Sequence, residues 1–187
     1  MKGMKDKDIS KFLSLVLRHK PEALGIVLDP EGWTNVEVLL QKMQARGKGI
    51  TLEKLKEVVA TNDKQRFSFN QDQTLIRASQ GHSLAVDLKL QPLAPPPVLY
   101  HGTAQRFAAA IQQEGLKKQN RQYVHLSAEV ETAMKVGARH GKPVVFLVES
   151  GQMHQDGVDF FLSENHVWLT HFVAPVYLKT HTGLALP

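Results

Sequence analysis

The chain has 187 residues, 42% hydrophobic and 22% charged, which suits one large globular domain or two small ones. It contains no cysteine, so disulfides and thiolate chemistry are excluded. A formal net charge of +5 favours a polyanionic partner. No apolar run reaches the length of a membrane span, and Met1-Lys2-Gly3-Met4-Lys5 lacks the hydrophobic stretch of a signal peptide, so a cytoplasmic protein is expected. The nine histidines form neither a His-Glu-x-x-His unit nor a tight pair beside a carboxylate, and no metal is expected.

Ile9, Phe12, Leu13 and Val16 fall at i, i+3, i+4 and i+7, which predicts an amphipathic helix capped near Asp8. It ends in Arg18-His19-Lys20, and Pro21 stops it. Gly25-Ile26-Val27-Leu28 reads as a short strand, followed by the turn Asp29-Pro30-Glu31-Gly32. Thr34-Asn35-Val36-Glu37 reads as a capping box opening a helix to about Ala45, broken by Gly47 and Gly49. Thr51 caps a third helix with Leu52, Leu55, Val58 and Val59 on its inner face. Strands at 66–70 and 74–78 then flank the turn Gln71-Asp72-Gln73. Three helices followed by a hairpin is the order of a winged helix, which binds nucleic acid through helix and wing or serves only in packing. A fourth short strand is expected at 86–90. Four prolines within 90–97 then mark an extended, stiff linker belonging to neither side.

Beyond the linker, Val98-Leu99-Tyr100-His101-Gly102-Thr103 delivers a histidine and a glycine to a strand end. Gly102 has no side chain, so a flat ligand group could lie against its backbone. Thr103 is expected to cap a helix over 104–114, with Gly115 as its stop. A similar unit follows: Tyr123-Val124-His125-Leu126, then Ser127 as N-cap of a helix over 128–140, stopped by Gly141. Either histidine alone reads better as an ordinary strand end, but their recurrence looks like two walls of one cleft. Further strands are expected at 143–149, Phe160-Phe161, 167–170 and 173–179. The fold class predicted is α+β.

Several cations occupy element ends rather than open helix faces: Arg18 and His19 after the first helix, Arg66 entering the hairpin, and Arg121 entering the His125 strand. An arginine fork binds phosphate oxygens bidentately and stays charged at any working pH. Brought together, these residues would suit a phosphate whose charge rises in a transition state. Spacing alone does not bring them together, and each taken singly reads better as a surface ion-pair partner. Neither a P-loop nor a dinucleotide fingerprint is present. Ser127 lacks a nucleophile elbow and reads as a cap or hydroxyl ligand. Glu129, Glu131 and Glu164 form no pair, and Trp33 and Trp168 read as core.

Eight motifs in order resemble one family. They are Phe12-Leu13-Ser14-Leu15-Val16-Leu17-Arg18-His19-Lys20-Pro21, Gly32-Trp33, Asp63-Lys64-Gln65-Arg66-Phe67, Ile76-Arg77-Ala78, Gln80-Gly81-His82-Ser83, Leu99-Tyr100-His101-Gly102-Thr103, Val124-His125-Leu126-Ser127 and Val167-Trp168-Leu169-Thr170. Together they resemble the NAD-dependent RNA 2′-phosphotransferases, the tRNA-splicing-type enzymes with bacterial members, from about Ser10 to Thr170. The resemblance implies a winged-helix RNA-binding lobe over 1–90, the linker at 91–97, and an ADP-ribosyltransferase-like NAD-binding lobe over 98–187. It also implies the reaction. An internal RNA 2′-phosphate attacks the anomeric carbon of the nicotinamide ribose and expels nicotinamide, giving 2′-phospho-ADP-ribosylated RNA. The ribose 2″-hydroxyl then attacks that phosphorus, leaving 2′-hydroxyl RNA and ADP-ribose 1″,2″-cyclic phosphate. The family's phosphate-holding tetrad falls on Arg18, His19, Arg66 and Arg121, and its NAD-site motifs on His101, Gly102, Thr103, His125 and Ser127. The implied partners are NAD, consumed as co-substrate, and RNA bearing an internal 2′-phosphate, with a monomer expected.

Asn165-His166 departs from the family's usual Asn-Gly, placing a histidine where positive φ is usual. Val167 stands where many protein ADP-ribosyltransferases carry a catalytic glutamate, which counts against protein modification. Two other readings remain: an ADP-ribosyltransferase acting on nucleic-acid terminal phosphates, and a non-catalytic winged-helix regulator that senses a nucleotide.

Overall fold

The computed structural model of the protein describes residues 4–181, which divide between two units, Met1–Lys89 and Leu90–Pro187. Met1-Lys2-Gly3, read above for a leader, and 182–187, at the end of the expected second lobe, lie outside the described residues.

In the first unit the apolar stripe forms helix α1 (Asp6–Arg18), followed by a 3-10 turn at Pro21–Ala23. Strand β1 (Thr34–Asn35), helices α2 (Val36–Ala45) and α3 (Leu52–Ala60), and strands β2 (Phe67–Phe69) and β3 (Leu75–Ala78) complete it. Ile9, Leu13, Val16 and Leu17 of α1 pack with Leu39 and Met43 of α2, Leu55 of α3 and Ile76 of β3. Each such buried side chain stabilises the unit by about 1.5–3 kcal/mol relative to exposure. β3 lies between β1 and β2, antiparallel to both, with Thr34 opposite Ile76 and Phe67 opposite Ala78.

Four local expectations change here. The N-cap of α1 is Lys5, without a side-chain bond, and Asp8 joins Asp6 in the first turn, where their charge complements the helix dipole. Residues 25–28 form no strand: Ile26 packs into the helical core while Val27 is 84% exposed. Asn35, not Thr34, caps α2, its Oδ1 accepting from the Val38 N–H at 3.0 Å, because the helix begins one residue later than the capping box implies, at Val36. Residues 86–90 also form no strand, since Lys89 adopts φ 55° and the Asp87 N–H bonds to the Pro30 carbonyl. Thr51 does cap α3, accepting from the Lys54 N–H at 3.2 Å.

The second unit runs β4 (Leu99–Ala104), α4 (Gln105–Glu114), β5 (Leu116–Lys117), β6 (Val124–Leu126), α5 (Val130–Gly137), a 3-10 turn (Ala138–His140), β7 (Pro143–Val148) and α6 (Ser150–Gln155). Then come β8 (Phe161–Leu162), β9 (Trp168–Thr170), β10 (Phe172–Val173), a 3-10 turn (Pro175–Tyr177) and β11 (Leu178–Thr180). The sheets are β11-β7-β4, β6-β9-β8 and the pair β10-β5, all antiparallel. The two three-stranded sheets meet where Tyr100 and Ser127 exchange two backbone hydrogen bonds of 2.8 Å. Leu99, Leu126, Val148, Phe160 and Trp168 build the core between these elements. The protein is thus α+β, with small antiparallel sheets.

Neither expected cap of this half forms. Thr103 lies within β4, buried, and α4 starts after Ala104; Ser127 is held in the backbone pair with Tyr100, and α5 starts after Glu129. The expected strand 173–179 is split at Pro175, which has no N–H to give a ladder. Helix α6 was not foreseen. The proline-rich stretch does not stand clear: the Leu93 N–H bonds to the Phe160 carbonyl, and the Pro96 and Pro97 carbonyls accept from the Ser150 hydroxyl and Gly151 N–H.

His166 takes the left-handed conformation itself, at φ 58°. The turn is held by the Ser163 hydroxyl, which accepts from the Val167 N–H at 3.0 Å and bonds Asn165 Oδ1 at 2.8 Å, and by the His166 N–H donating to the Ser163 carbonyl. A side chain in this region costs about 1–2 kcal/mol, partly offset by the greater freedom glycine has when unfolded. His166→Gly is expected to raise the unfolding free energy by about 0.5–1 kcal/mol in urea denaturation, with the fold unchanged.

Candidate active site

Arg18 is the last residue of α1 and 8% exposed; its Nη2 donates to the Arg66 carbonyl at 3.3 Å, and its guanidinium lies 5.9 Å from the Phe67 ring centroid. His19, the C-cap of α1, is exposed, and its Nδ1 lies 3.0 Å from the Ser83 hydroxyl. The Ser83 N–H in turn donates to the Arg18 carbonyl, so the 81–83 segment is laced to the end of α1. Arg66 is aimed by Asn62, whose Oδ1 accepts from its Nη1 at 3.1 Å and its backbone N–H at 3.3 Å. Asp63 stands 3.6 Å from Arg66 Nη1, but its side chain is 78% exposed, and so open a pair neutralises little. Three of the four sequence-predicted phosphate residues therefore gather in the first unit, with cationic charge that a phosphate could answer.

Beneath them lies His82, 1% exposed, with neither ring nitrogen hydrogen-bonded. Burial, followed by the positive charges of Arg18, His19 and Arg77, lowers its pKa to about 4. It is a neutral ring at working pH, so it adds no charge to the cluster. Trp33 is half-buried rather than core, with the Arg77 guanidinium 4.3 Å over its ring.

In the second unit, Arg121 lies exposed in the loop before β6 and makes no ion pair among the described residues. His101 and His125 are brought together: His101 Nδ1 bonds the His125 carbonyl at 3.1 Å. A carbonyl only accepts, so Nδ1 carries the proton. Burial holds the His101 pKa below its ordinary value, against the opposing effect of that bond. The neutral ring thus has its Nε2 lone pair left as an acceptor. Gly102 is pressed against α5, where a Cβ would lie 1.6 Å from the Ala133 carbonyl oxygen. Thr103 is buried at the same contact, its backbone 2.6 Å from where a Gly137 Cβ would stand.

The ladder also decides which way the Gly102 amide groups face. Tyr100 spends its N–H and C=O on Ser127, on the side away from β7, and Val145, the Gly102 partner, gives its carbonyl to the His181 N–H. Backbone groups alternate sides along an antiparallel strand. Gly102, two residues after Tyr100, therefore presents its N–H and C=O to the edge of β4 that faces away from β7.

A sequence model of the family described as "RNA 2'-phosphotransferase, Tpt1 / KptA family" matches residues 4–172. Proteins named "Probable RNA 2'-phosphotransferase" are similar along nearly the whole length. That of Flavobacterium johnsoniae is 54% identical over 92% of this chain and 95% of its own. The one from Hahella chejuensis is 55% identical over 92% and 93%, and the one from Trichormus variabilis 51% identical over 95% and 98%. The chain belongs to this RNA 2′-phosphotransferase family.

Within this family member, sequence reasoning missed the residues that aim the predicted ones. Ser83 and His82 stood inside a quoted motif without a role, and Asn62 stood outside the motifs. Their signal is only their place at a turn, where Asn and Ser side chains reach nearby backbone and side-chain groups. Among the described residues no group of three His, Cys, Asp or Glu could hold a metal ion, and no helix is long and apolar enough to cross a membrane.

The depressed pKa of His82 has a definite pH consequence. Between pH 6.5 and about 4 the unfolded chain binds a proton that the folded state refuses, so stability is full above pH 6.5 and falls below it. The loss on acidification to pH 4 is expected to reach about 3 kcal/mol. Urea unfolding of the wild type and of His82→Phe across this range checks it: the variant is expected to lose that part of the slope.

Proposed function

We propose that the protein removes an internal 2′-phosphate from RNA by transferring it to NAD. Membership of the RNA 2′-phosphotransferase family supports the transferase activity. The first unit reads as a winged-helix lobe, since its order of helix, strand, two helices and hairpin, with β3 central, is that of such a domain. The second, beginning at the proline stretch, reads as an ADP-ribosyltransferase-like lobe.

The observation that carries the NAD reading is the outward-facing amide pair of Gly102 beside the neutral His101. One N–H and one C=O on a strand edge suit the C=O and NH₂ of a carboxamide such as nicotinamide. The free His101 Nε2 and the Ser127 hydroxyl suit ribose hydroxyls, and His125 lies on the same strand face as Ser127, opposite the buried Val124 and Leu126. Thr103, buried under α5, keeps β4 in place behind these groups. NAD supplies an electrophilic anomeric carbon and a neutral leaving group.

Arg18, His19 and Arg66 hold the RNA phosphate, and the resemblance assigns Arg121 to the same group. In the first step the phosphate oxygen forms a bond to the anomeric carbon as the bond to nicotinamide breaks. The phosphate is already a competent nucleophile, so this step depends on positioning. In the second step the ribose 2″-oxygen bonds to phosphorus, the RNA 2′-oxygen leaves, and the hydroxyl proton passes to it. Charge builds on the phosphorane oxygens, where fixed guanidinium groups stabilise most. His19, steadied by Ser83, moves that proton.

Incubating a 2′-phosphorylated oligoribonucleotide with the protein, with and without NAD, tests the reading: the phosphate is expected to leave only with NAD. A phosphate that stays in both, or leaves in both, ends it. In single-turnover gels, Arg66→Ala and Arg121→Ala are expected to accumulate 2′-phospho-ADP-ribosylated RNA, with the second step slowed about 10²–10³-fold. His101→Ala is expected to slow the first step and show no intermediate.

A further inference from the structure

A groove of about 610 Å³ runs along the first unit between α1 and the connection from α3 to β2. His19 and Arg66 stand at one end of it. From there α1 presents Ser14, Lys11, Ser10 and Lys7, at spacings of three and four residues that keep them on one helix face. From Lys7 to His19 the helix rises about 18 Å, room for several nucleotides of a single strand.

The charges in the groove do not cancel. Lys7, Lys11 and Arg66 outnumber its two carboxylates, of which Asp6 is paired at 2.7 Å with Lys54, outside the lining, and Asp63 faces Arg66 across an open 3.6 Å. Lys7 and Lys11 are exposed and make no ion pair among the described residues. Ser10 accepts from Asn62 Nδ2 at 3.1 Å, which leaves its own hydroxyl proton available to a ligand. A lysine face on a convex helix is ordinarily just solvated. Here the two lysines wall a concavity that leads to the phosphate-binding residues.

We propose that this groove binds the RNA strand flanking the 2′-phosphorylated nucleotide, with Lys7 and Lys11 each taking one backbone phosphate and Ser10 donating to a phosphate or ribose oxygen. The proposal rests on the phosphotransferase reading and adds a substrate requirement to it: flanking nucleotides contribute to binding. Such contacts position the strand without reading its sequence, so the groove takes RNA of any base composition.

The test compares a 2′-phosphorylated dinucleotide with a 2′-phosphorylated oligoribonucleotide extended on both sides, using the full chain and its Lys7→Ala/Lys11→Ala double variant. The variant is expected to bind the oligoribonucleotide roughly tenfold more weakly at low salt and to turn over the dinucleotide like the wild type. The slope of log affinity against log salt should fall in magnitude by about 1.4, at about 0.7 per phosphate contact on a single strand. Unchanged affinity and salt slope for the oligoribonucleotide would overturn the groove, as would an equal loss on both substrates. A wild-type protein that turns over neither substrate would instead overturn the phosphotransferase reading.

Discussion

The second unit depends on how closely helix α5 approaches strand β4. Gly102 has its Cα face against the Ala133 carbonyl and Gly137 has its own against the Thr103 backbone, so neither position has room for a side chain. With one face of β4 closed by this contact and one edge paired to β7, the Gly102 amide groups are left facing the edge that runs past Ser127. The glycine is therefore needed where its Cα meets α5, and not at the strand edge that carries its amide groups. A methyl group there would push the helix off the strand rather than block a pocket, and the alignment of His101 with the His125 carbonyl would be lost with it.

The first unit solves a different problem, which is how to concentrate cations without driving them apart. Arg18, His19 and Arg77 lie around His82, and a charge on that ring would add to their repulsion. Burial keeps that ring neutral. The aromatic faces of Phe67 and Trp33 take part of the guanidinium surface, where the ring quadrupole favours a cation. The hydrogen bond that Arg66 donates to Asn62 Oδ1, and the one between His19 and the Ser83 hydroxyl, then fix the direction of Arg66 and His19. Little freedom is left to these side chains, and fixed cations of this kind stabilise a developing negative charge most.

The lysines of α1 extend that cationic surface at a different level of organisation. They are exposed, their side chains are long, and their attraction for a polyanion is screened by salt. Arg18, by contrast, is almost wholly buried and its geometry is set by neighbours. The cationic surface of the first unit is therefore graded, from long, solvated side chains on α1 to a guanidinium held by its neighbours.

By itself the sequence determined the α+β class, the three helices and hairpin of the first half, the alternation of strands and helices in the second, and the family. These are written in local patterns: the spacing of Ile9, Leu13 and Val16, the Thr51 cap, and runs such as 143–148. The family was legible because its motifs keep their order and their distances along the chain. Only the tertiary structure decided the rest. Thr103 and Ser127 look like helix caps, yet strand pairing took both, because a cross-strand backbone bond is specified by residues far away in the chain. The neutrality of His101 and His82 follows from burial among distant segments, which no local pattern encodes. His166 marks the boundary between the two: its identity argued against a left-handed turn, and the hydrogen bonds of Ser163 hold it there all the same.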